Sequence, residues 1–231
     1  MKRDLLTYLE TWKNDPARKP LIIRGARQVG KTWLVESFGR QAFPGYFSIN
    51  FDLQPHFKSC FVNPDPDEII TKIELTANNS LAGPGAMLFL DEIQECPAAL
   101  KALRYFYEKK PELPVIAAGS LLEFIEKSEE ISIPVGRVTN YYLPPLSFGE
   151  FLTALGEDRL RHYLRTLAIG DSIVESVHEK CMGLLRKYLY TGGMPADAGP
   201  KTHPFSRYET ALTDSILFFD FSFHPITGPF D

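Results

Sequence analysis

Residues 25–32, Gly25-Ala26-Arg27-Gln28-Val29-Gly30-Lys31-Thr32, fit the pattern G-x-x-x-x-G-K-[ST]. A loop of this kind wraps a polyphosphate with backbone N–H groups. Glycine is therefore needed where the chain bends tightly or approaches phosphate. A helix beginning near Lys31 would aim its N-terminal dipole at the same anion. Lys31 would reach the β- and γ-phosphates of a nucleotide such as ATP, and the Thr32 hydroxyl would ligate Mg²⁺. The competing reading is a glycine-rich turn with a surface lysine. The apolar run before the loop and the amphipathic pattern after it argue against that.

Met87-Leu88-Phe89-Leu90 is an apolar strand that ends in Asp91-Glu92. A strand buried on both faces has little reason to end in two carboxylates unless its tip faces a site. Next to a bound triphosphate, Asp91 would support the metal and Glu92 would polarise the attacking water. Val115-Ile116-Ala117-Ala118-Gly119-Ser120 is a further apolar run with a hydroxyl at its end. Ligands of open α/β sheets bind at the carboxyl ends of strands, so Ser120 could touch the γ-phosphate or the water. It could equally cap a helix over 121–126, and both roles can hold. Arg137 opens another strand. It could neutralise γ-phosphate charge or pair with a nearby glutamate, and spacing alone leaves both open.

Alternating strands and helices must position these groups. Strands are expected over Leu21-Ile22-Ile23, 46–51, 87–90, 115–118 and 138–143, and helices over 33–38, 65–79 and 97–109. Short apolar strands separated by helices indicate a parallel sheet covered on both faces. Leu5, Leu6, Leu9 and Trp12 form one stripe of an amphipathic N-terminal helix. Beyond Pro144-Pro145 only helical patterns follow, over 147–155, 158–169, 172–190 and 207–218. The expected organisation is an α/β core over 1–143 and a helical lobe over 144–231. The tail, 218–231, matches no periodic template.

The chain has 231 residues, 44% of them apolar, and a net charge of −4. That is enough to bury a sizeable core, and it places the chain outside the disordered class. A weakly acidic balance gives no electrostatic footprint for nucleic acid and no polybasic membrane patch. No apolar run reaches membrane-spanning length, and the charged start leads into no signal segment, so the chain reads as cytoplasmic. Cys60, Cys96 and Cys181 are too few and too scattered for a disulfide framework and read as reduced, buried thiols.

Together these motifs resemble the core of the AAA-type ATPases. Pro134-Val135-Gly136-Arg137-Val138, the run 143–151 from Leu143-Pro144-Pro145 to Gly149-Glu150-Phe151, and Tyr190-Thr191-Gly192-Gly193-Met194-Pro195 extend the resemblance. They point to prokaryotic ATP-binding proteins with a C-terminal domain of unknown function, relatives of the archaeal and STAND ATPases. The resemblance implies a P-loop fold with strand order 5-1-4-3-2. It also implies a sensor role for Ser120 and a γ-phosphate sensor or in-cis finger role for Arg137. Gly193-Met194-Pro195 resembles the element whose proline packs on adenine, although a helix C-cap would explain the same residues. Such proteins continue into a further domain, whereas this sequence stops soon after, as a truncated or interrupted gene product would.

The leading functional expectation is an ATPase whose hydrolysis moves the core against the helical lobe. The alternative is a nucleotide-binding switch with little turnover. A small-molecule kinase is disfavoured by the Asp91-Glu92 pairing and by the lack of an Arg-rich lid. DNA translocation or repair is disfavoured by the net charge. A protein partner, or self-association, would use the helical lobe.

Overall fold

The structure is a computed structural model that describes residues 3–81, 85–120 and 136–195. All of these belong to one compact unit, Met1–Ala198. The expected helices over 121–126 and 207–218 and the tail over 218–231 lie outside the described residues.

Five parallel strands form one sheet: β1 (Leu21–Arg24), β2 (Gly45–Asn50), β3 (Ala86–Asp91), β4 (Val115–Gly119) and β5 (Thr139–Tyr142). Their spatial order is β2-β3-β4-β1-β5, the order implied by the motifs read from the other edge. The register sets Leu21 opposite both Ile116 and Thr139, and Asn50 opposite Asp91. All five strands therefore end on one edge of the sheet, where the motif residues gather. β3 and β4 are buried throughout, and β1 up to its last residue. β5, expected as a buried strand, lies at one side of the sheet with β1 as its only neighbour among the described strands, and its side chains alternate between half-buried and exposed.

Side chains of a strand alternate between faces, so the sheet builds two cores. Leu21, Ile23, Met87, Phe89, Ile116 and Ala118 face one way. There they meet Leu5, Leu9 and Trp12 of α1 (Leu5–Asn14) and Leu34, Val35 and Phe38 of α2 (Lys31–Ala42). Ile22, Leu88, Leu90, Val115 and Ala117 face the other way. They meet Ile69 and Ile73 of α3 (Pro66–Ala77) and Leu100, Leu103 and Phe106 of α4 (Pro97–Lys109). Each buried Val, Leu, Ile, Phe or Met side chain among these contributes about 1.5–3 kcal/mol of transfer free energy. The helix starts follow from local chemistry. Asp65 accepts hydrogen bonds from the N–H groups of Asp67 and Glu68 at the head of α3, and proline opens both α3 and α4.

A 3-10 helix over Pro55–Phe61, which had no sequence expectation, covers part of the second core with Phe57, Cys60 and Phe61. Cys60, Cys96 and Cys181 are free thiols and buried, as expected.

Among the described residues three helices follow β5: α5 (Phe148–Ala154), α6 (Asp158–Thr166) and α7 (Glu175–Thr191). α5 begins with a capping box. Ser147 accepts from the Glu150 N–H at 3.2 Å, and Glu150 Oε2 accepts from the Ser147 N–H at 2.9 Å. The other Glu150 oxygen accepts from the Asp4 N–H at 2.8 Å and pairs with Arg3 Nε at 3.2 Å. Arg3 also donates from Nη2 to the Pro144 carbonyl at 2.6 Å. The Arg3 and Glu150 side chains are only 1% and 6% exposed. One buried ion pair thus fastens the start of the chain to the start of α5. Breaking such a pair by removing one partner costs about 3–5 kcal/mol, because a buried charge is left alone. Glu150→Ala should lower the unfolding free energy, measured in urea, by that amount. A loss below about 1 kcal/mol would show that water reaches Arg3.

Among the described residues no helix is long and apolar enough to cross a membrane.

Candidate functional site

The loop over 25–32 leaves the end of β1 and turns directly into α2. Gly25 is held against β5. A Cβ there would lie 2.3 Å from the Leu143 carbonyl oxygen, and its φ of +153° also disfavours a side chain. The Leu143 N–H donates to the Arg24 carbonyl at 2.7 Å, which locks the two segments together. Val29 is fully buried in the first core and anchors the middle of the loop. Gly30, in the left-handed region, caps α2. Gln28 is also left-handed, at φ +65°. The loop curls back on itself, and Lys31 Nζ donates to the carbonyls of Gly25 at 3.0 Å and Ala26 at 2.7 Å. Burial pushes the Lys31 ammonium below the usual lysine range, while Glu92 and Asp91 pull the other way.

Thr32 Oγ1 donates to Asp91 Oδ2 at 2.8 Å. Asn50 Nδ2, from the end of β2, donates to the same oxygen at 3.0 Å. Asp91 Oδ1 is buried with no hydrogen-bond partner. Burial is the main cause that raises the Asp91 carboxyl above the usual aspartate value. A hydroxyl beside a desolvated carboxylate with one unused oxygen is the hard-oxygen donor set that suits Mg²⁺. Thr32 and Asp91 therefore fit the metal.

Glu92 follows at φ +48°, left-handed for a non-glycine residue. Its Oε2 accepts from Gln94 Nε2 and, at 3.5 Å, from Ser120 Oγ. Ser120 is buried at the end of β4, the strand between β1 and β3, so it stands between the lysine-bearing loop and the acidic pair. A cleft of about 610 Å³ opens here, lined by Arg27, Gln28, Lys31, Thr32, Glu92 and Gln94 among others.

The structure brings Gly25, Ala26, Arg27, Gln28, Val29, Gly30, Lys31, Thr32, Asp91, Glu92 and Ser120 to one edge of the sheet. It does not bring Arg137 there. Arg137 precedes β5, six residues before Leu143, and is roughly 20 Å away at about 3.3 Å per residue. It is 48% exposed and pairs with Glu108 at 3.0 Å. The in-cis finger expectation is thus corrected to the plain salt bridge, because β5 runs parallel to β1 and its first residues belong to the far edge.

Pro195 is half-buried and is not among the residues lining the cleft. Gly192 ends α7 in the left-handed conformation, with its N–H on the Tyr188 carbonyl, so the C-cap is present. Gly193 does more than cap: its carbonyl accepts from the Leu146 N–H at 2.8 Å, and a Cβ there would lie 2.5 Å from the Leu146 carbonyl oxygen. Met194 packs on the first core.

Two site residues had no sequence expectation. Asn50 was findable as the polar residue ending a strand, and Gln94 as the amide two residues past Glu92.

A family model described as an AAA domain matches residues 17–152, more than half of the chain. The chain belongs to the AAA domain family. The AAA domain is a nucleotide-binding domain of the ATPase type. Solved structures similar to it include the Drosophila ORC bound to DNA, with 15% identity and a TM-score of 0.44, covering 68% of this chain and 47% of that one. Another is PCH-2 of C. elegans, with 12% identity and a TM-score of 0.39, covering 75% and 50%. The chain spans about half the length of these two proteins. No protein of curated function matches it at a significant level.

Proposed function

We propose that the chain binds Mg-ATP in this cleft and hydrolyses it. The observation that carries the reading is the Thr32–Asp91 pair with its unused buried oxygen, set between Lys31 and Glu92. Lys31 would exchange its loop carbonyls for phosphate oxygens, and the backbone of 25–32 would hold the β-phosphate. Thr32 and Asp91 would hold Mg²⁺, which when bound would supply positive charge against the phosphate oxygens. Glu92 takes the proton of the attacking water. The water oxygen bonds to the γ-phosphorus, the bond to the β–γ bridging oxygen breaks, and its electron pair leaves on ADP. Ser120 orients Glu92 or the γ-phosphate from the end of β4.

The same reading extends to movement. Nucleotide state would pass from the core, 1–143, to the helices beyond it, with Pro195 contributing to the adenine surface. What supports this is backbone contact alone: the loop touches Leu143 at Gly25, and the end of α7 touches Leu146 at Gly193. A protein partner or second copy would meet the helical part, where α7 exposes Leu189 and Tyr190.

The wild-type chain should release phosphate from Mg-ATP, with nucleotide affinity measured beside it; tight binding without release would favour the switch. Asp91→Asn adds a second arm. A carboxyl held above its unfolded value contributes stability below that value and loses it as pH rises through the folded one. In its ionised form Asp91 is therefore a cost to the fold. Asp91→Asn should raise the melting temperature of nucleotide-free protein and abolish the extra rise that Mg-ATP gives over ATP with chelator. An unchanged Mg²⁺-dependent rise would remove Asp91 from the metal site.

A further inference from the structure

Glu92 and Gln94 form a local device with two visible costs. Glu92 sits in the left-handed region, a conformation costing roughly 1–2 kcal/mol outside glycine. Gln94 Oε1 is buried with no hydrogen-bond partner. Both costs come from one geometry. The left-handed turn at Glu92 starts a short 3-10 helix, Ile93–Glu95, closed by the Glu95 N–H on the Glu92 carbonyl at 2.9 Å. Ile93 is fully buried and pins that helix to the second core. The chain is thereby folded back so that the Gln94 amide meets the Glu92 carboxylate. A carboxylate only accepts, so the amide nitrogen must face it and the amide oxygen is turned away. Ser120 donates to the same oxygen, Oε2.

We propose that Gln94 is a positioning residue for Glu92: its amide grips Oε2 and leaves Oε1 as the oxygen that meets water in the cleft. The proposal rests on the reading of Glu92 as the base. A free glutamate side chain samples several rotamers, and a misplacement of about 1 Å can cost a hundredfold in rate. The grip spares that loss without touching nucleotide. Gln94 therefore acts on turnover and not on affinity.

Two variants test it: Gln94→Leu, which removes the donor, and Gln94→Glu, which keeps the shape but presents a second carboxylate. Both should lower kcat about 10- to 100-fold with the Kd for Mg-ATP unchanged. In a Glu92→Gln background neither should lower it further, since two residues acting through one group do not add. With ¹³C-labelled glutamate, the Glu92 carboxyl resonance, assigned by its loss in Glu92→Gln, should move in Gln94→Leu. That reading does not depend on hydrolysis. Failure of the wild type to release phosphate would therefore count against the ATPase reading alone. An unmoved Glu92 resonance, losses that add to that of Glu92→Gln, or a fall in affinity equal to the fall in kcat would each overturn the role given to Gln94.

Discussion

Replacing Lys31 with alanine is expected to weaken Mg-ATP binding by at least about 100-fold, out of reach of ordinary titration calorimetry. Lys31 is the charge that the loop closes around, 6% exposed and hydrogen-bonded to Gly25 and Ala26. An ammonium ion bonded to phosphate oxygens away from bulk water is worth about 1.5–3 kcal/mol per hydrogen bond to a charged group, and the lysine would make two or more. The fold should not suffer in step. Burial already disfavours the charged lysine, so the alanine variant should melt near the wild-type temperature. That separates loss of ligand from loss of structure. Wild-type affinity in a folded Lys31→Ala protein would displace the nucleotide from this loop altogether.

Glu92→Gln should leave Mg-ATP affinity close to wild type while phosphate release falls about 10²- to 10⁴-fold, the usual contribution of a general base. The glutamine amide can still accept the Gln94 and Ser120 hydrogen bonds through its oxygen, so the local fold is kept. What it cannot do is take a proton. Single-turnover measurements with excess protein would locate the defect in the chemical step rather than in product release. Turnover at the wild-type rate would require another base, and Asp91, committed to Thr32 and Asn50, could serve only by giving up the metal.

The parts legible in the sequence are those whose information is local. The phosphate-binding loop, the two carboxylates after four apolar residues, and the helix from Pro97 to Lys109 each depend on neighbours a few positions away. The strand order followed from resemblance between motifs rather than from periodicity. The parts that were not legible depend on distant partners. Arg3 and Glu150 are a buried pair separated by 147 positions, and nothing in the sequence near Arg3 distinguishes it from the charged residues on either side. Arg137 was misplaced for the opposite reason. The motif resemblance favoured the site, although a residue that opens a strand of a parallel sheet starts at the edge away from the carboxyl ends. Gln94 carried no role in the sequence although it stands two residues past Glu92, because its meeting with that carboxylate depends on the left-handed backbone at Glu92.

That backbone has a bearing on how the protein could be improved. Gln28 and Glu92 are two of the three non-glycine residues with positive φ among the described residues, and both line the cleft. Each holds energy that a glycine would release. A library screened for heat resistance would therefore enrich glycine at 28 and 92, and would gain its degrees by discarding the base and loosening the phosphate loop. Stabilisation of this domain belongs elsewhere, on the exposed helix faces, with both positions excluded from the randomised set.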